Sequence, residues 1–182
     1  MQNLAQAVET RVFAVDESLT FAVLDGASIP DLIEKIYDFE PKCECLYMGE
    51  LEPDMAEVAP YLVQLEPDSS FAKWVVTSGW GKHWGMFAHT PADFRTLLQH
   101  FRRFLMVYNS EGRPLMFRYY DPRVLRGHLR QCKPEELTAF FGPVASYVVE
   151  DEDPMVALRF SLDSGNLKSE RLSLQQEKVK SR

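Results

Sequence analysis

Cysteine is scarce in this 182-residue chain, and long uncharged runs are missing. The three cysteines, Cys43, Cys45 and Cys132, make an odd count, which fits reduced thiols better than a disulfide framework. No uncharged stretch approaches the roughly 18 residues of a membrane span. The opening MQNLAQAVETRVFAVDESL carries acids in its mildly apolar stretch and no basic leader, so no secretory signal is expected. Basic residues are also in deficit, 20 Lys and Arg against 27 Asp and Glu for a formal net charge of −7. Such a field disfavours wholesale binding to a phosphate backbone. The expectation is a cytoplasmic protein with neither nucleic acid nor membrane as partner.

What is present is the composition of a folded globule. Hydrophobic residues make up 46% and charged residues 26% of the chain, enough for one domain with a substantial core and no need of a metal or cofactor to hold it. The charge is unevenly placed. Residues 1–90 hold 5 Lys/Arg and 15 Asp/Glu, residues 91–133 hold 9 and 3, and residues 134–182 hold 6 and 9. A basic block inside an acidic chain marks either a surface for an acidic partner or a counterweight to the protein's own acids.

Periodicity gives a coarse layout. LTFAVLDGAS (19–28) reads as a buried strand ending at Asp25-Gly26, followed by a helix with Ser28 as N-cap, Pro30 in its first turn and Pro41 at its end. CECLYM (43–48) and PYLVQL (60–65) read as strands on either side of an acidic loop, and strand–helix–strand suggests a βαβ-like start. FAKWVVTSGW (71–80) fits helix or strand. After GWGKHWG comes the short strand MFAHT. Thr90 then caps a helix along which Phe94, Leu97, Leu98, Phe101, Leu105 and Tyr108 form one apolar face. LMFRYY (115–120), apolar on both sides, reads as a central strand. Within it Arg118 needs a buried acid, Asp121 or Asp25, and is expected to be largely buried. Asp121-Pro122 starts another helix, PEELTAFFG (134–142) a third, and ASYVVEDE with MVALRFSL a closing strand pair. The fold class is α/β, a single domain with a mixed central sheet flanked by helices. It divides into an N-terminal segment (1–18), the domain (19–163) and a polar tail (164–182).

No catalytic constellation stands out. Cys43-x-Cys45 has one intervening residue where zinc sites use two to four, so packed thiols are the expectation. His83, His89, His100 and His128 lie outside any nucleophile motif, and GWGKHWG lacks the pattern of a phosphate loop. On the helix from Pro122, Leu125, Leu129 and Cys132 form an inner stripe. By the 100° helical step, Arg123, Arg126 and Arg130 fall within about 60° of one another on the opposite side. Arg95 and Arg102 extend this basic set. These five arginines, with Trp80 and Trp84 from the Gly-bracketed loop, are the candidate partner contacts. The alternative is a solvated face balanced by acids such as Glu135 and Glu136.

LMFRYYDPRVLRGHL, preceded by FAHTPADFRTLLQHFRRFLMVYNSEG and followed by ELTAFFGPV, resembles the signature of the effector-adaptor (effector-chaperone) family of bacterial type VI secretion. The resemblance covers roughly residues 20–145. It implies a non-catalytic adaptor that holds a toxic effector in the producing cell and delivers it to a valine-glycine-repeat spike protein. The motif residues carried over are Arg118, Tyr119, Tyr120, Asp121, Pro122 and Arg123, of which Arg118 and Asp121 read as structural. Longer members of the family continue into a C-terminal helical lobe, whereas only residues 146–182 follow here, so the α/β lobe is expected to carry the binding. The competing classes are a small hydrolase using His83 or His128 with Asp121, and an immunity protein that blocks a toxin.

Overall fold

Alternation along the strand β1 (Leu19–Asp25) organises the molecule: Phe21 and Val23 enter one apolar cluster, Ala22 and Leu24 another. A strand buried on both faces lies inside a sheet covered by two layers. The computed structural model describes residues 4–14 and 18–175. In chain order the remaining elements are α1 (Leu4–Val12), ahead of β1, then α2 (Leu32–Phe39), β2 (Cys43–Cys45), α3 (Pro53–Val58), β3 (Pro60–Leu65), α4 (Ser70–Gly79), β4 (Gly85–Thr90) and α5 (Phe94–Arg102). A hairpin of β5 (Met106–Tyr108) and β6 (Pro114–Met116) precedes α6 (Pro122–Gln131), α7 (Pro134–Phe141), β7 (Ser146–Glu150), β8 (Val156–Asp163) and β9 (Asn166–Ser173).

The seven-stranded sheet has the order β2-β3-β1-β4-β7-β8-β9. Apolar faces of α1, α2 and α4 pack on one side, and those of α5, α6 and α7 on the other. This is the single α/β domain with a central sheet flanked by helices. Its pairings are antiparallel throughout. The strand–helix–strand opening survives in split form, because β3 inserts between β1 and β2 and pairs antiparallel with both.

Several local expectations give way to tertiary context. The acidic loop contains α3, and residues 71–79 are helical within α4, where Phe71, Val75 and Val76 are buried. Ser28 does not cap a helix; it sits in a short 3-10 turn and its hydroxyl donates to Asp25. Asp93, not Thr90, caps α5, accepting from the Thr96 N–H at 2.7 Å, while Thr90 Oγ1 donates to the Pro143 carbonyl at 2.6 Å.

Both supposed flanks belong to the domain. In α1, Val8 and Val12 are fully buried. Residues 164–173 are not tail: β9 pairs with β8 over its whole length through a two-residue turn. Ser164 and Gly165 occupy that turn at φ 50° and 81°, the conformation of a type I′ hairpin. The rest of the expected tail, 176–182, lies outside the described residues, as do residues 1–3 and 15–17.

Candidate functional site

The FRYYD stretch is a junction, not a central strand: β6 ends at Met116, and residues 117–120 leave the hairpin to enter α6. The aromatic residues still go inside. Tyr119 is fully buried, donates its hydroxyl to the Phe101 carbonyl at 2.9 Å, and meets the rings of Phe101, Phe104, Phe117, Tyr120 and Phe140. Arg118 pairs with Asp25, which is 1% exposed at the end of β1, but the arginine's own side chain is 44% exposed. The expected partner is therefore present while the expected burial is not, because the stem reaches Asp25 from the surface. Asp25 also accepts from the Ala27 N–H and the Ser28 hydroxyl. Asp121 caps α6 by accepting from the Arg123 N–H at 2.9 Å and pairs with the Arg123 guanidinium at 2.7 Å. Burial pushes the Asp121 carboxyl up, but the Arg123 contacts outweigh it and hold the group below its ordinary range.

The arginine row on α6 is not uniform. Arg123 and Arg130 are exposed, but Arg126 is 8% exposed and donates to the Glu150 carbonyl. Its register points it along the β7 end of the sheet instead of out to solvent. Arg123, Arg126, Gly127 and Arg130 line a depression of about 500 Å³ together with His83 and Glu152. Arg95 and Arg102 line a different one, about 410 Å³, with Glu44, Phe94, Leu98 and Gln99. Arg102 is engaged by the fold: it pairs with Glu44 at 2.8 Å and donates to the Cys45 and Leu46 carbonyls at 2.8 and 3.2 Å, tying α5 to the sheet edge. The structure thus does not extend the α6 row through Arg102.

The tryptophans are internal supports. Trp84 is buried against Trp74, with ring centroids 4.9 Å apart, and half-buried Trp80 donates its indole N–H to the Pro154 carbonyl at 2.9 Å. Trp84 is thus committed to the core, whereas Trp80 keeps part of its ring at the surface. His83 finds Glu150 at 2.9 Å and not Asp121. It adopts φ 59°, and its backbone N–H also donates to the Glu150 carboxylate. Burial raises the Glu150 carboxyl, and His83 opposes that only in part. His128 lies against the Phe117 and Phe140 rings and 3.3 Å from the Cys132 sulfur. Burial pushes the Cys43 and Cys45 thiols up, the opposite of an activated thiolate. Among the described residues no cluster of His, Cys, Asp or Glu could hold a metal ion, and no helix is long and apolar enough to cross a membrane.

Sequence reasoning missed the β5–β6 hairpin. The predicted helix stops at Arg102, and Met106, Val107, Tyr108, Leu115 and Met116 are exposed on two short strands, Tyr108 at 72%. The Asn109 side chain closes the turn by accepting from the Glu111 and Arg113 N–H groups at 3.0 and 2.8 Å. The base is anchored by the Phe117 N–H on the Leu105 carbonyl at 2.9 Å. The available signal was MVY, β-branched and aromatic, directly before Asn-Ser-Glu-Gly. Five large apolar side chains exposed on one short hairpin are a candidate docking surface.

A family model described as a domain of unknown function (DUF4123) matches residues 20–139, about two thirds of the chain. No curated protein and no solved structure matches.

Proposed function

The chain belongs to the DUF4123 family, and from that premise we propose that it is a non-catalytic adaptor of bacterial type VI secretion. In this reading it binds a toxin effector in the cytoplasm and loads it onto the valine-glycine-repeat spike protein. The observation that carries the reading is the exposed apolar hairpin, whose five large side chains stand outside the core while the polar groups of the neighbouring motif are occupied within the fold. Such a division of labour suits a protein that presents surface, and the FRYYDPRVL resemblance supplies the secretion context. His83 and His128 are engaged by Glu150 and by Cys132 with two aromatic rings, which gives the hydrolase alternative no Asp121 dyad to work with.

Copurification from the native bacterium, followed by mass spectrometry, tests the proposal. The expected result is a toxin and a spike protein retained by the parent chain, and lost from a Tyr108→Asp, Leu115→Asp variant that melts like the parent. Retention of both by that variant removes the hairpin from the interface. Substituting His83 or His128 with Gln is expected to leave export intact; loss of export in a stable His83→Gln variant that still holds its partners would restore the enzyme reading.

A further inference from the structure

Gly127 stands near the middle of α6 without a structural reason. Glycine in a helix interior is unfavourable relative to alanine, by loss of backbone entropy. A Cβ at Gly127 would meet nothing within 4 Å, and its φ is not in the left-handed region. Neither packing nor backbone geometry requires the missing side chain. A bare position is also what allows another molecule to approach a helix closely.

The surroundings say what that molecule is. Arg123, Gly127 and Arg130 follow one another at i, i+4 and i+7, one helix face about 10 Å long, and the depression they line with Arg126, His83 and Glu152 has Gly127 between its arginines. Arg126 is nearly buried and held by the Glu150 carbonyl, so its guanidinium is oriented before any ligand arrives. His83 is likewise held by Glu150. Arg130 is exposed, and among the described residues it makes no hydrogen bond or ion pair. Planar guanidinium groups match the geometry of a carboxylate. Glu152 on the same rim works against a densely charged polyanion, and the chain's net charge of −7 does so at long range.

We infer that this depression is a receptor for an acidic peptide segment of a protein partner, with a Glu or Asp carboxylate seated over Gly127 among the three arginines. The assignment rests on the adaptor reading only for the kind of partner; the chemistry of the site stands on the residues that line it. Gly127 keeps the floor open, Arg126 is the pre-oriented contact, Arg130 closes on the ligand from one end, and Arg123, already held by Asp121, bounds the other.

The test uses the full chain and a fluorescent synthetic peptide of alternating glycine and glutamate, beside its glutamine counterpart, inorganic phosphate and a short single-stranded DNA. The glutamate peptide is expected to bind and the glutamine one not. Gly127→Leu fills the depression while improving helix propensity, so it is expected to raise resistance to urea and to weaken the glutamate peptide roughly tenfold or more. Arg130→Gln is expected to weaken the peptide in the same direction with unchanged stability. Binding that neither substitution alters overturns the inference. Equally tight binding of phosphate or DNA, abolished by Gly127→Leu, makes this a general anion site and overturns the peptide assignment. Self-association of the chain, broken by Arg130→Glu, would assign the depression to a second copy and overturn it too. Normal peptide binding with no effector or spike copurifying would sink the adaptor reading and leave the receptor in place.

Discussion

Residues 118–121 and 123–130 lie side by side in sequence and both carry arginine, yet the fold treats them differently. In the first group the polar groups are engaged by the fold: Arg118 by Asp25, the Tyr119 hydroxyl by Phe101, Asp121 by the start of α6 and the Arg123 guanidinium. In the second the helix buries Leu125 and Leu129 and leaves Arg123 and Arg130 at the surface around Gly127. The difference lies in what each segment is joined to. Residues 118–121 bridge a hairpin and a helix and must fasten both to the end of β1, whereas α6 is already fastened by its apolar stripe and its outer face is free to serve something else.

Substitutions at the junction should therefore act on stability, and the largest effect is expected at Tyr119. Truncation to Ala removes a fully buried ring from contact with five aromatic neighbours and takes one donor from the Phe101 carbonyl, which keeps the Phe104 N–H. The expected loss is about 3–5 kcal/mol, read from urea unfolding. Tyr119→Phe, which keeps the ring, should lose only about 1 kcal/mol. If the two variants unfold alike, the ring is not the anchor described here.

Arg118→Met ranks next. Asp25 is buried and loses a cationic partner, but it retains the Ala27 N–H and the Ser28 hydroxyl, and the arginine is nearly half exposed. The cost is accordingly set below that of a fully buried pair, at about 1.5–3 kcal/mol. A change within the error of the unfolding measurement would show that Asp25 does not depend on Arg118.

Acid should weaken the frame that both segments share. Burial lowers the pKa of His89, His100 and His128 from the usual 6.5, so each binds its proton more readily when unfolded. Stability from this source is fully present above pH 6.5 and is lost as the pH falls through and below that value. Asp121, also lowered, adds a loss of the same sign at more acidic pH. Glu150 is raised by burial and acts in the opposite sense, favouring the folded state as it protonates. Urea midpoints should fall between pH 7.5 and pH 5.5, and a rise over that interval would contradict the assignment.

The parts of this architecture legible in the sequence were those fixed by local pattern. Asp121-Pro122 announced α6, the apolar run at 19–25 announced a buried strand, and the need of Arg118 for a nearby acid, Asp121 or Asp25, followed from its apolar neighbours, the structure supplying Asp25. Patterns that depend on distant chain were misread. The apolar period through Leu105 and Tyr108 looked helical because both residues keep the spacing, but Leu105 is buried at the base of the hairpin while Tyr108 is exposed. β9 looked like tail because an edge strand needs apolar side chains on one face only. The helical wheel put Arg126 beside Arg123 and Arg130 correctly. It could not show that the end of β7 rises against that flank and supplies the Glu150 carbonyl, nor that Arg102 would be drawn to the backbone at Cys45 and Leu46.

The smallest stability effect is expected at Arg130, and it separates the two segments most cleanly. Its side chain is exposed on the outer face of α6, and no ion pair to a described residue depends on it. Arg130→Gln keeps a good helix former of similar length, so stability should move by less than about 0.5 kcal/mol. Binding of an acidic partner should nonetheless weaken, and the parent's advantage over the variant should shrink as added salt shortens the Debye length to about 8 Å at physiological ionic strength. Arg118→Met offers the opposite profile, a clear loss of stability with partner association little changed once the protein is folded. Association rates for both variants at low and physiological salt, with unfolding midpoints measured beside them, give the comparison. If Arg130→Gln leaves the low-salt rate untouched, the outer face of α6 is a solvated surface, and the contrast between the two segments reduces to burial alone.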